Sequence, residues 1–199
     1  MRATKVDIAL QYGTCCNGEM GAAWMLAEKM RVHAMVTTQK ARVGIVHAVS
    51  PERVDLVRGL MREYGDSLGV DLSYQNFEEE LRLLPGEYAP PRGTLLLALD
   101  GEEAAGCVAI RPLGQDFCEM KRLYVRPAWR AVGLGRRLVE AALEDARRAG
   151  YRFVRLDTLP SMTAARGLYA QLGFRAIAPY YQSPIVGTAF LQLDLATTR

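Results

Sequence analysis

Histidine is almost absent from this 199-residue chain, which has only two, His33 and His47. Neither lies beside clustered cysteines, and the four cysteines, at 15, 16, 107 and 118, lack the spacing of a zinc site. No metal-ligand set is therefore expected. Cys107 and Cys118 read instead as small buried hydrophobes on neighbouring strands. Lysine is scarce too, at 4 against 21 arginines. A GC-rich genome accounts for most of that bias; a few arginines in the right place would bind anions through their planar forks. The formal net charge of +3 is too small for a nucleic-acid partner. There is no apolar run of 18 residues, so no membrane helix is expected. The apolar stretch at 22–27 is too short for a secretory signal and follows an acid, Glu19. A cytoplasmic protein is the resulting expectation.

What is present is an ordinary globular composition, 50% hydrophobic and 24% charged. A chain of this length can bury roughly 70% of its unfolded surface, enough for one core without staples. Residues 1–41 stand apart. Five of the eight methionines fall there, at 1, 20, 25, 30 and 35, and no clean period runs through the segment. It is treated as an N-terminal extension, with a weak helical pattern over 20–35 and with translation from Met30 or Met35 as an alternative. The domain proper is expected over 42–199.

From Arg42 the pattern is regular. Residues 43–49 read as a strand. Ser50-Pro51-Glu52 is a helix start, with a hydroxyl cap, proline in the first turn and an acid near the positive end. Apolar residues follow at helical spacing from Val54 to Leu68. A short helix is expected over 76–84, then two strands joined at Asp100-Gly101, a strand over 117–125 and a helix over 134–149 closed by Arg147, Arg148 and Gly150. A strand over 153–159, a helix over 163–172 stopped by Gly173 and two last strands, the second over 189–195, complete the chain. The order predicts a mixed α/β fold of the α+β kind, with antiparallel hairpins in the middle and a parallel strand–helix–strand unit after them.

The chemistry concentrates at Arg126–Glu140, where a strand becomes a helix. Amides at a helix N-terminus lack partners and carry partial positive charge, so a glycine-rich entry can wrap a phosphate. Gly133 and Gly135 clear the way, and Arg130 and Arg136 add charge. A Walker loop is excluded, because no Lys or Ser/Thr follows Gly135. A dinucleotide fingerprint is excluded, because Leu138 stands where its third glycine belongs. What remains is R-x-x-G-x-G, followed by "LYAQLGF" at Leu168–Phe174.

Together, with a strand before the first motif and strand–helix–strand–helix order, these motifs resemble the GNAT superfamily of acyl-CoA N-acyltransferases over about residues 42–199. The resemblance implies a GNAT fold, with a mostly antiparallel central sheet of about six or seven strands flanked by helices. It implies acetyl-CoA as acyl donor, with no metal, and direct acetyl transfer to an amine. The coenzyme pyrophosphate would sit on the backbone N–H groups of Ala131, Val132, Gly133, Leu134, Gly135 and Arg136, with charge from Arg130 and Arg136. The pantetheine arm would pair with the backbone of Leu123 and Val125, and the Val125 N–H would stabilise the oxyanion. Members that acetylate histones carry a glutamate on this strand six residues before its end, which matches Glu119. Strand alternation puts Glu119, Lys121, Leu123 and Val125 on one face. Glu119 is thus the candidate general base, acting through water, with Asp157 second. Tyr169 matches the family's general acid. Many members carry Asn where this chain has Met162, so Ser161 or Thr163 would have to supply that contact. Tyr180 and Tyr181 fall where members shape the acceptor pocket. The acceptor is a small-molecule amine or a peptide amine, and the protein a monomer or homodimer. The alternative is a non-catalytic acyl-CoA sensor of the same fold.

Overall fold

The computed structural model describes Met25, residues 28–30 and residues 43–197. Met25 and residues 28–30 are helical; the remaining expectations for residues 1–41 lie outside the described residues. The chain divides into Met1–Gln39 and Lys40–Arg199, and the elements below belong to the second unit.

Strands form where apolar residues alternate or run together between turn signals. They are β1 (Val43–His47), β2 (Thr94–Asp100), β3 (Glu103–Pro112), β4 (Phe117–Val125), β5 (Phe153–Thr158), β6 (Arg175–Ile177) and β7 (Ala189–Asp194). They join in one seven-stranded sheet of order β1-β2-β3-β4-β5-β7-β6. Every pairing is antiparallel except β4 with β5. That is the expected mixed, mostly antiparallel sheet.

Four helices cover it. The first is α1 (Pro51–Leu68), whose Ser50 cap accepts from Arg53 N–H at 3.5 Å. The others are α2 (Phe77–Leu83), α3 (Leu134–Arg148) and α4 (Thr163–Gln171). Buried residues of α1 and α2, including Val57, Leu60, Met61 and Leu81, pack with Leu97, Cys107 and Ala109 on one sheet face. Leu134, Leu138, Ala142 and Leu143 of α3 and Tyr169 of α4 pack with Val108, Met120, Val154 and Leu156 on the other. Among the described residues no helix is long and apolar enough to cross a membrane.

The glycine of the second motif has a geometric reason. Gly173 has φ 91, a left-handed conformation that glycine adopts without strain. Its N–H reaches Ala170 O at 3.1 Å and the Phe174 N–H reaches Tyr169 O at 3.0 Å. This is a Schellman stop, and its usual apolar contact is present, with the Tyr169 and Phe174 rings 5.5 Å apart. The motif therefore fixes the position of Tyr169 at the end of α4.

One expectation is corrected by β4. Arg122 has φ 58, and the β3–β4 register shifts between Cys107 and Ala109. This bulge resets the alternation. Glu119 and Lys121 face the α1 side, whereas Leu123 and Val125 pack into the α3 side, so the four do not share a face. The charged residues of β4 are buried: Glu119 is 1% exposed, Lys121 7% and Arg122 5%. Cys107 and Cys118 are buried as expected, and burial pushes both thiols up to about 12.

Arg122 ties the bulge to α2. Its Nε donates to Glu80 Oε1 at 2.8 Å, its Nη1 to Gln75 Oε1 at 2.9 Å, and its guanidinium lies 4.8 Å from the Phe77 ring centroid. Burial alone would raise the Glu80 carboxyl. The Arg122 guanidinium and the Tyr88 hydroxyl, 2.7 Å away, outweigh it and hold the group below its ordinary value. A carboxyl lowered in the folded state contributes stability that is present above its unfolded value, about 4.3. That contribution is lost as pH falls through the lower folded value. Thermal denaturation should therefore give a steady midpoint above about pH 5 and a falling one below about pH 4. The Glu80→Gln variant should start lower and show a shallower acid decline.

Candidate active site

The parallel pair sets the site. Phe117–Glu119 pair with Phe153–Arg155, and there the pairing ends. Beyond it β4 and β5 part, and a narrow cleft opens between them, lined by Met120–Leu123 on one side and Asp157, Thr158 and Leu159 on the other. Tyr169 and Met162 border it, and Tyr64 and Tyr74 close it from the α1 side. The Arg126 N–H bonds Ala105 O across to β3 at 3.0 Å, so alternation turns the Leu123 and Val125 N–H groups towards the open edge.

The loop after β4 leads into α3. Ala131 has φ 63 and Gly133 φ 80, and Gly133 caps the helix. Val132 and Leu134 anchor the turn in the core, 9% and 1% exposed. The first donor into the helix is Arg137, whose N–H reaches Gly133 O at 3.2 Å. The amides before it, of Leu134, Gly135 and Arg136, are those a helix start leaves for an anion. A Cβ at Gly135 would meet Val125 and Leu168 side chains at 3.9 Å, so the glycine is not forced by packing within the protein. Left-handed backbone at both 131 and 133, free amides and an unpaired strand edge are a fit to the pyrophosphate and arm of an acyl-CoA. Arg130 folds back, donating through Nε to Val125 O at 2.8 Å. Arg136 lies at the rim between Gln171 Oε1, at 2.5 Å, and Glu140, at 3.6 Å.

On the α1 side lies a second cavity of about 360 Å³, lined by Tyr74, Gln75, Arg111, Glu119, Tyr180 and Tyr181. Tyr180 and Tyr181 form part of its wall, stacked edge-on against Phe190. Glu119 is tightly held. Its Oε2 accepts from Arg111 Nε at 2.8 Å and Nη2 at 2.7 Å, and its Oε1 from the Tyr180 hydroxyl at 2.7 Å. Asp157, on β5, borders the cleft. Its Oδ1 accepts from Lys121 Nζ at 3.0 Å, and Lys121 also reaches Gln75 Oε1 at 3.3 Å and Glu119 Oε1 at 3.9 Å. The Tyr169 hydroxyl has no hydrogen-bond partner among the described residues, and burial pushes its phenol well above the ordinary value, so it stays a proton donor.

Glu119 and Tyr169 therefore border adjoining spaces rather than one. Sequence reasoning missed Arg111, Arg122 and Gln75, which come from separate elements and carry no local signal. It also missed Thr158, although a hydroxyl in the inward register after Val154 and Leu156 was a readable sign. Ser161 and Thr163 are exposed and do not line the cleft.

A strand pair that splays beside a phosphate-type helix start is the architecture of an acyl-transferring α/β enzyme. The model of the Acetyltransferase (GNAT) family matches residues 56–174. An uncharacterized N-acetyltransferase of Schizosaccharomyces pombe is 39% identical over 148 residues, covering 73% of this chain and 91% of that protein. An acetyltransferase of Streptococcus agalactiae has the same fold, with a TM-score of 0.65 at 20% identity, covering 77% of this chain and 98% of the other. An acetyltransferase of Salmonella typhimurium, solved with its cofactor acetyl-CoA, matches with a TM-score of 0.55 at 21% identity, over 77% of this chain and 94% of that one. The chain belongs to the GNAT acetyltransferase family and is an N-acetyltransferase.

Proposed function

We propose that the protein transfers an acetyl group from acetyl-CoA directly to an amine held in the cavity between the segment 73–76 and the loop carrying Tyr180 and Tyr181. The observation that carries this reading is the parting of β4 and β5 after Glu119 and Arg155, beside the free amides at the start of α3. When bound, acetyl-CoA supplies an acetyl group activated as a thioester. The amides of Ala131–Arg136 hold its diphosphate, and the edge at Leu123 and Val125 holds its arm. The Val125 N–H donates to the oxygen on which negative charge develops.

An ammonium has no lone pair for attack, so a base must first take its proton. Asp157 takes this role, directly or through one water. It borders the same cleft as Tyr169, whereas both oxygens of Glu119 are engaged by Arg111 and Tyr180. Glu119 becomes a positioning residue that holds Arg111 and Tyr180 at the cavity wall. The Tyr169 hydroxyl gives its proton to the departing thiolate and is restored, through water, by the second proton that the acceptor nitrogen loses as the amide forms. One C–N bond forms and one C–S bond breaks. The acceptor is a small-molecule amine or a peptide amine.

The test is a titration with CoA by calorimetry, followed by a thiol-release screen of acetyl-CoA against amines, amino acids and peptides. Binding of CoA and amine-dependent thiol release are expected. Absence of heat at millimolar CoA overturns the reading; binding without turnover of any amine reduces the protein to an acyl-CoA-binding domain.

A further inference from the structure

Thr158 is the last residue of β5. Its Oγ1 is a buried side-chain oxygen with no hydrogen-bond partner among the described residues, and the residue is 2% exposed. A buried hydroxyl without a partner is destabilising relative to a satisfied one. Folded proteins seldom retain such a group without a use for it.

Two facts say where this hydroxyl points. β5 pairs with β7 in unbroken register from Phe153↔Asp194 to Thr158↔Ala189, so its alternation is regular. Val154 and Leu156 belong to the core beneath α3 and α4, and Thr158 shares their face. Asp157 is turned the other way, to Lys121, which lines the acceptor cavity. Thr158 also lines the cleft between β4 and β5, together with Leu123 and Tyr169. It is therefore on the coenzyme side of the cleft, not the acceptor side. The neighbouring hydroxyls, Ser161 and Thr163, are exposed and outside the cleft.

We propose that the Thr158 hydroxyl is a binding group for the acyl-CoA arm, pairing with an amide or carbonyl of that arm when it enters the cleft. This rests on the reading that the cleft takes acyl-CoA. The bond is unmade in the free protein and made in the complex, so Thr158 trades stability of the free enzyme for affinity.

The experiment compares the wild type with Thr158→Val, which keeps the shape and loses the hydroxyl, and Thr158→Ser, which keeps the hydroxyl. CoA affinity is read by calorimetry and the free protein by thermal denaturation. Thr158→Val is expected to weaken CoA about fivefold to tenfold, the loss of one hydrogen bond. Its melting temperature without ligand should equal or exceed that of the wild type, because an orphan polar atom has been removed. Thr158→Ser should bind CoA within about threefold of the wild type. If Thr158→Val binds CoA as tightly as the wild type, the inference is overturned while the proposed function stands. A lower ligand-free melting temperature in Thr158→Val with unchanged affinity assigns the hydroxyl to a structural water and also overturns it. If the wild type binds no CoA, the proposed function fails and this inference with it.

Discussion

Asp157→Asn should lower kcat about 100-fold or more, the usual contribution of a positioned base. The reason is specific to this site. An amide has nearly the shape of the carboxylate but cannot take a proton, so the acceptor remains an ammonium. Lys121, only 7% exposed, keeps Gln75 at 3.3 Å and Glu119 at 3.9 Å, so the fold should survive and CoA affinity should stay near that of the wild type. In Glu119→Gln, by contrast, kcat should fall less than about tenfold. The assay uses the amine found by the thiol-release screen. If the two variants behave the other way round, the proton goes to Glu119 and Asp157 is the positioning residue. Near-normal rates in both would remove carboxylate base catalysis from this cleft altogether.

Arg122→Met should be the most destabilising single change in the sheet, by about 3–5 kcal/mol in urea denaturation. The substitution leaves the Glu80 carboxylate, 13% exposed, without its cation. It also removes one of the bonds to Gln75 and the cation from the face of Phe77. The double variant Arg122→Met, Glu80→Leu should recover most of the loss, since replacing a whole buried ion pair by apolar groups is often neutral. Recovery would show that the penalty lies in the stranded charge and not in the bulge. A loss under about 1 kcal/mol in the single variant would mean that Glu80 finds water or another cation. The same residue matters for the site, because Arg122 and Lys121 hold Gln75 against the cavity.

Much of the architecture could be read from neighbours along the chain. Ser50 announced α1, Gly150 and Gly173 announced the ends of α3 and α4, and Phe117–Val125 was legible as a strand over its full length. The Arg130, Gly133 and Gly135 pattern and the Leu168–Phe174 pattern pointed to the family, and the match over residues 56–174 agrees. Less of the site was legible. Arginine in left-handed backbone is rare, and no flanking residue signals that Arg122 would take φ 58. Without that bulge, counting by twos from Glu119 reaches Val125 on the wrong face. The burial of Glu119 was not legible either, because its partners, Arg111 and Tyr180, lie on β3 and on the loop before β7.

The sequence alone determined the elements, their order and the chemistry of the phosphate-type turn, since helices, caps and strand alternation depend on residues within about four positions of one another. Only the tertiary structure decided which charges are buried in pairs, where β4 and β5 separate, and which hydroxyl is left facing the cleft. Those outcomes depend on pairing register and on groups dozens of residues apart, where one shifted position in a strand exchanges its two faces.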